Sequence, residues 1–189
     1  MALPERLIIG PNWLPLVMIA CLLIPTVAAQ RAGRSRLNYV LGILLSAIVT
    51  VALAWSLGTL IAGIPDKRET PAELARAAVA LWFSNILVFA SWYWRLDAGG
   101  PHSRDIRKLH TSGDFLFPQM MLPPPLSQKY TDWKPEFIDY LFLAFNTSTA
   151  FSPTDVPVLS RWAKLLMMIQ SVISLATIAI LAARAINIF

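Results

Sequence analysis

The stretch from Phe137 to Asp155 constrains the fold of this chain more than any other segment. It opens with about fifteen largely apolar residues, fewer than the ~20 that a membrane-spanning helix requires. A cluster of hydroxyl side chains follows, interrupted by Pro153, and a long apolar run at about 160–188 comes next. Irregular backbone at membrane depth must be buried in protein or line a wet cavity. A half-length helix, a polar hairpin and a full-length helix therefore predict a re-entrant pore segment.

The composition indicates a membrane protein. The 189 residues are 56% hydrophobic and 14% charged, with a mean hydropathy of +0.57, and a soluble domain carries roughly twice that share of charge. We predict an all-α membrane protein with four transmembrane helices plus a re-entrant pore-helix and loop before the last helix. The net charge of +5 is explained by Lys and Arg beside the spans, so we expect the lipid bilayer, and no nucleic acid, as a partner.

Apolar runs, together with the residues that begin or interrupt helices, predict the positions of the four spans. The predicted spans are 12–29, 37–64, 71–94 and 160–188. Thr70, Pro71 and Glu73 form a sharp helix start, with Thr70 as the cap and Pro71 in the first position. We interpret 1–189 as a single membrane domain, made of an N-terminal helical hairpin (1–70) and a pore-module-like part (71–189).

Small residues spaced four apart on the second span predict close helix packing. Gly42 and Ser46 form one such pair, and Ala54 and Gly58 form another. Small side chains at this spacing let the backbones of two membrane helices approach each other. A neighbouring helix is therefore expected against both pairs.

The segment after Phe137 resembles the pore-helix, filter and inner-helix unit of two-transmembrane potassium-channel pore modules. The likeness rests on Phe137-x-Asp139-Tyr140, a Thr-rich filter approach, Asp155, Pro157, Arg161 and the apolar helix that follows, in that order. It covers about a quarter of the chain. The resemblance implies a homo-oligomer, specifically a tetramer, and small ions as partners.

The second half also resembles a family of small bacterial inner-membrane proteins. Three motifs carry this likeness: Trp94-x-Leu96-Asp97-x-Gly99-Gly100-Pro101, Asp114-Phe115-Leu116-Phe117-Pro118-Gln119, and Thr149-Ala150-Phe151-Ser152-Pro153-Thr154-Asp155. The resemblance implies a multi-pass protein of the bacterial inner (plasma) membrane. It supplies no activity.

The filter region departs from the potassium-channel pattern. A potassium filter reads Thr-Val-Gly-Tyr-Gly, and its glycines adopt backbone angles that other residues resist. This chain has no glycine after Gly113, so we expect no potassium-selective filter. The filter-like residues are Thr147, Ser148, Thr149, Ala150, Phe151, Ser152, Pro153, Thr154 and Asp155.

The same loop has a second interpretation without an ion. Ser152, Pro153 and Asp155 fit the cap, first and third positions of a helix start or turn. Pro157 opposes a helix there, because it would interrupt the helix within its first turns.

One face of the last span is polar. Gln170, Ser174, Thr177 and Arg184 share a face when stepped at three, four and seven residues. These side chains either line a pore or form the seam toward other helices, because Ser and Thr are common interhelical hydrogen-bonding residues. Both alternatives stay open at the level of sequence.

Two arguments on orientation disagree. Loops one and three carry eleven Lys and Arg, whereas the other side carries five. The positive-inside rule therefore places the re-entrant segment in the cytoplasm. A potassium-channel pore module has its filter outside.

Two classes of function follow from these patterns. The first is an oligomeric, pore-loop ion-channel-like protein that is not potassium-selective. The second is a non-conducting membrane scaffold or subunit that retains the pore-module fold. We expect no enzyme, since the apolar spans lack a base or metal ligand beside a nucleophile, and no cofactor or metal is implied.

The predicted topology can be tested by labelling single cysteines from each side of the membrane. Cys21 is the only cysteine, so Cys21→Ser gives a background that should not label. Cysteines at Ser35 and Ser103 should label from one side and a cysteine at Glu69 from the other. Labelling of all three from one side would contradict the span assignment.

Overall fold

The computed structural model describes residues 35–62, 71–106, 113–123, 126–130, 132–149 and 155–185. The predicted first span (12–29) and the filter-like residues 150–154 lie outside these ranges. All regular elements of the described residues are helical, and an isolated antiparallel bridge pairs Phe115 with Val158.

The described residues form five α-helices and three short 3₁₀ turns. The α-helices are α1 (Ser35–Ala62), α2 (Pro71–Leu96), α3 (Pro101–Ile106), α4 (Phe137–Thr149) and α5 (Arg161–Ala185). The 3₁₀ turns are Asp97–Gly99, Pro118–Met120 and Leu126–Tyr130.

Three of these helices are long and apolar enough to cross a membrane. The candidate spans are Leu37–Ala62, Ala72–Gly99 and Arg161–Ala183. By length and composition the chain is therefore a membrane-embedded, all-helical protein. The span predicted to end at Trp94 continues to Gly99, because the turn Asp97–Gly99 prolongs α2. That extension brings Asp97, which had been assigned to a loop, into the candidate span.

Local sequence signals explain where the helices begin. α2 begins at Pro71, as predicted. Ser160 caps α5, because the Ala163 N–H donates to its Oγ at 3.4 Å and the Lys164 N–H to its carbonyl at 3.3 Å. At the start of α4, the Glu136 N–H donates to Asp139 Oδ2 at 2.7 Å and the Asp139 N–H donates to the Glu136 carbonyl at 3.1 Å. This reciprocal pair has the logic of a capping box.

The chain divides into two compact units. The first comprises 1–85 and 172–189, and the second comprises 86–171. In the first unit, leucines on one face of α1 pack with a leucine and alanine face of α2 and with α5. This core consists of Leu53, Leu57, Leu60, Leu74, Ala77, Ala78, Leu81 and Ile180. The repeats of three and four residues within α1 and α2 are those of a buried helix face.

The predicted small-residue contacts on α1 are only partly present. Ser46 is buried and its Oγ donates to the Gly42 carbonyl at 2.9 Å. Ala54 and Gly58 are exposed, and a Cβ added at Gly58 would meet no described atom within 4 Å. Close helix packing at Gly58 is thus absent from the described part of the chain.

The second unit contains the half-length helix α4. Its 13 residues span about 20 Å at 1.5 Å per residue, less than the ~30 Å of a bilayer's hydrocarbon core. One face is buried and consists of Tyr140, Leu143, Ala144, Thr147 and Ser148. The opposite face exposes Ile138, Phe142 and Phe145. The half-length helix that the sequence predicted is present, and the turn that should follow it lies outside the described residues.

Candidate functional site

A left-handed turn ends α2 and defines one edge of the candidate site. Ala98, Gly99 and Gly100 have φ angles of 52°, 79° and 90°. Glycine adopts positive φ without the steric penalty of other residues, which explains the Gly-Gly pair before Pro101. A Cβ on Gly99 would also lie 3.3 Å from Ser103 Oγ. The turn leads directly into α3 and its buried Arg104.

The Arg104 side chain caps the C-terminal end of α2. Its guanidinium Nη1 donates to the carbonyls of Trp94 and Asp97, each at 2.8 Å. The last carbonyls of a helix have no partner within the helix, and a cation at that end is stabilised by the helix dipole. The guanidinium also lies over the Tyr140 ring, 5.1 Å from its centroid. A cation–π contact of this kind links α3 to α4.

The Asp97 carboxylate is the centre of the site. The side chain is fully buried, and its Oδ2 accepts a hydrogen bond from the Tyr140 hydroxyl at 2.6 Å. Its Oδ1 accepts from the backbone N–H groups of Asp114 and Phe115, at 2.5 and 3.4 Å. Hydrogen bonds to a charged acceptor are roughly twice as strong as neutral ones. The carboxylate therefore joins the end of α2, the segment 113–117 and helix α4.

The segment 113–117 is paired in turn with the residues that lead into α5. The Leu116 N–H donates to the Pro157 carbonyl at 2.9 Å, and the Leu159 N–H donates to the Asp114 carbonyl at 2.8 Å. These two bonds flank the bridge between Phe115 and Val158. The chain entering α5 is thereby attached to the segment that Asp97 holds.

Aromatic packing surrounds this polar centre. Phe115 is fully buried and meets Tyr93 edge-on at 5.2 Å between ring centroids, with Trp162 at 6.1 Å. Phe117 lies 5.3 Å from Tyr140 and 5.5 Å from Trp133, again edge-on. Edge-to-face pairs at these separations are favourable beyond their buried area. The apolar residues of 115–122 thus include two core residues of the second unit, Phe115 and Phe117.

A second polar cluster joins α2, α4 and α5 through Gln170. Its Nε2 donates to the Ala144 carbonyl and to Ser148 Oγ, both at 2.7 Å, and its Oε1 accepts from the Tyr93 hydroxyl. The amide is fully buried. Within the single chain Gln170 therefore makes interhelical hydrogen bonds, as in the seam alternative.

The described filter-like hydroxyls bond within the chain. Thr147 Oγ1 donates to the Leu143 carbonyl at 2.8 Å, and Thr149 Oγ1 donates to the Asn146 carbonyl at 3.0 Å. Ser148 Oγ accepts from Gln170. Ala150, Phe151, Ser152, Pro153 and Thr154 lie outside the described residues, and Asp155 is exposed in a bend before α5.

The remaining polar residues predicted on the last span are Ser174, Thr177 and Arg184. Ser174 and Thr177 are buried in the first unit, and Thr177 Oγ1 donates to the Ile173 carbonyl at 2.7 Å. The side chain of Arg184 lies outside the described part of the structure. The assignment of these residues to a pore or to a helix seam stays a prediction.

Burial raises the pKa of the Tyr140 hydroxyl well above its ordinary value. The nearby Asp97 carboxylate raises the pKa further, because it repels a phenolate and accepts the phenol's hydrogen bond, while Arg104 opposes these effects. Tyr140 is therefore held as a neutral donor.

Asp97, Phe115 and Tyr140 stand within sequence motifs, but no local pattern assigns them a role. No sequence pattern points to Arg104. The available signal was an acid two residues before Gly99-Gly100-Pro101 at the end of an apolar span, since an ionisable residue within a candidate membrane span is by default a functional hypothesis. Its partners lie 17 to 43 residues away, and no periodicity indicates such pairs.

Comparisons with known protein families, with curated proteins and with solved structures find no match to this chain. The fold and the buried polar centre define its class: a membrane-embedded helical protein with a half-length helix held beside full-length ones. The likeness to potassium-channel pore modules rests on the quoted residues alone.

The Gln170 cluster generates a prediction about stability. Gln170→Leu removes three hydrogen bonds, each worth about 0.6 kcal/mol between membrane helices, so the free energy of unfolding should fall by about 2 kcal/mol. Unfolding in detergent, followed by tryptophan fluorescence, measures the change. Gln128→Leu, at an exposed position, is the matched control. Equal stabilities for Gln170→Leu and wild type would exclude the proposed contribution of the network.

Tyr140 generates a prediction about pH. Since its pKa is raised in the folded state, the unfolded chain loses the phenol proton first, from about pH 10 upward. The unfolded state then binds fewer protons than the folded state, so stability is complete below about pH 10 and falls above it.

Measuring the unfolding temperature between pH 8 and 11 tests this predicted loss of stability. Wild type should lose stability above pH 10 more steeply than Tyr140→Phe, which has no phenol at this site. Tyr39→Phe removes an exposed phenol and is the control. A Tyr140→Phe profile parallel to wild type would contradict the assignment.

Proposed function

We propose that the chain is a non-conducting membrane scaffold or subunit that retains the arrangement of a pore module. The observation that carries this proposal is the engagement of the half-length helix's polar groups within the chain. Thr147, Ser148 and Thr149 each have a hydrogen-bond partner in the second unit. A conducting path needs such oxygens exposed, so that they replace the hydration shell of an ion, and Thr147 and Ser148 are buried within the second unit.

The arrangement around α4 is suited to a structural role. The buried face of α4 is held at one end by Asp97 and Arg104, through Tyr140, and at the other end by Gln170. Two anchors on a helix of 13 residues leave it little freedom to move. A rigid half-length helix fixes the residues that precede the loop 150–154, and a scaffold requires this rigidity.

The sequence of the filter region supports the same proposal. The stretch 149–155 carries a proline and no glycine, so its backbone lacks the freedom that a ring of inward-pointing carbonyls needs. The exposed apolar faces of α4 and α5 are suited to the lipid bilayer or to a second copy of the chain. We propose the bacterial inner membrane as its location, on the resemblance alone.

A second candidate is an oligomeric pore-loop channel for small ions. The observation in its favour is the exposed carboxylate of Asp155 directly after the predicted pore turn. A ring of such carboxylates would attract cations. A single hairpin cannot enclose a path, so this candidate requires a homo-oligomer, and the resemblance to potassium channels implies a tetramer.

Flux measurements on purified protein in liposomes separate the two candidates. As a scaffold, wild type should give the cation flux of empty liposomes. As a channel, it should conduct, and Asp155→Asn should lower the flux severalfold at ~0.01 M salt, where screening is weakest. Asp132→Asn, the same change at another exposed residue, is the matched control.

Each outcome of the flux experiment decides between the candidates. Cation flux that depends on Asp155 and not on Asp132 would refute the scaffold. Flux at the level of empty liposomes, in preparations whose unfolding transition proves them folded, would refute the channel. Mass measurement in nanodiscs adds an independent arm, because a strictly monomeric protein cannot form the channel.

A further inference from the structure

Two sequence motifs that lie far apart in the chain meet at Asp97, and a third lies between elements that are attached to it. The first motif, 94–101, supplies the carboxylate itself. The second, 114–119, supplies the two N–H groups that donate to Oδ1. The third, 149–155, lies between α4 and residues 157–159, which pair with Asp114 and Leu116. The constellation thus includes described chain on both sides of residues 150–154.

We infer that Asp97 is the positioning residue for the chain on both sides of the loop 150–154. One arm runs from Oδ2 through the Tyr140 hydroxyl into α4, which ends at Thr149 just before the loop. The other arm runs from Oδ1 through the backbone of Asp114 and Phe115 to the strand-like residues 157–159. A single side chain therefore holds both the end of α4 and residues 157–159.

A carboxylate at this position can bond to both arms at once. Its two oxygens accept hydrogen bonds along different directions, and one serves each arm. Its burial strengthens these bonds, since the surrounding dielectric is low. The backbone of Asp97 is itself fixed, because its carbonyl accepts from Arg104 and from the Gly100 N–H at 2.9 Å. Because its backbone is fixed, Asp97 holds the groups that donate to its carboxylate in defined positions.

This role goes beyond the proposed scaffold function and does not depend on it. A scaffold needs a fixed loop to meet a partner, and a channel needs a fixed loop to meet an ion. A refutation of either candidate by flux measurement would leave the positioning role of Asp97 untouched.

Hydrogen exchange of individual peptides, read by mass spectrometry, tests the second arm. The reporter amides are Leu116 and Leu159, which bond to Pro157 and Asp114 and make no hydrogen bond to the Asp97 side chain. Asp97→Asn keeps the shape of the side chain and removes its charge. Exchange at both amides should rise about tenfold, the factor expected when a hydrogen bond to a buried charged group is weakened.

Two tyrosine variants provide the comparison. Tyr140→Phe breaks only the first arm, so Leu159 should stay within about twofold of wild type while exchange in α4 rises. Tyr93→Phe is the matched control, because Tyr93 is equally buried but donates to Gln170. It should leave Leu116 and Leu159 unchanged.

Two results would overturn the proposal. In the first, Asp97→Asn raises exchange at Phe115 but leaves Leu159 at the wild-type rate, so that position is not transmitted. In the second, Tyr93→Phe raises exchange at Leu159 as much as Asp97→Asn does, which would indicate general softening of the second unit.

A measurement on the unmutated protein keeps the test valid if Asp97→Asn does not fold. In native-state exchange at rising temperature, the amides of Asp114, Phe115, Leu116 and Leu159 should open together as one unit. A Leu159 amide that opens independently of Phe115 would refute the second arm. Alkylation of the Val156→Cys variant in the Cys21→Ser background also reports this opening. Val156 is 5% exposed, so a cysteine at this position should react only when residues 155–159 detach from residues 113–117.

Discussion

The burial of the Asp97 carboxylate is the interaction on which the second unit depends. A charge removed from water is costly unless it is paired or fully hydrogen-bonded. The donors to the Asp97 carboxylate include the Tyr140 hydroxyl and the N–H groups of Asp114 and Phe115, which belong to two other segments. These donors must therefore stay in place for the carboxylate to stay buried, and α4, residues 113–117 and the entry to α5 are ordered around it.

The half-length helix α4 presents the complementary difficulty. Its buried face carries polar side chains, Thr147 and Ser148 among them, and burying a polar group without a hydrogen-bond partner is costly. The chain meets this cost with the Gln170 amide, which reaches Ala144 and Ser148 near the end of α4 and accepts from Tyr93. Gln170, one of the residues that the sequence left open as a pore lining or a helix seam, thus holds one helix against two others within the second unit. The same arrangement underlies both candidate functions, which differ in what happens at residues 150–155.

Much of the helical architecture could be predicted from local patterns, and the described spans agree with the predicted ones to within a few residues. Pro71 begins α2 as predicted, because first-turn prolines depend on a few adjacent residues. Two expectations needed correction. The third span continues past Trp94 because the residues with positive φ that end it are Ala98, Gly99 and Gly100. Gly58 faces open space among the described residues, since spacing alone does not say which helix, if any, approaches a small residue.

The sequence by itself determined the class of the protein, the position of its long helices and the existence of a helix too short to span. Those properties follow from apolar run length, helical periodicity and caps, all of which are local. Only the tertiary structure decided that Asp97, Asp114, Phe115 and Tyr140 form one site, and that Gln170 faces helices within the same chain. Hydrogen bonds between residues 17 to 77 positions apart depend on how helices are brought together. The motifs 94–101 and 114–119, which have no assigned role in the sequence, are thereby joined in one site.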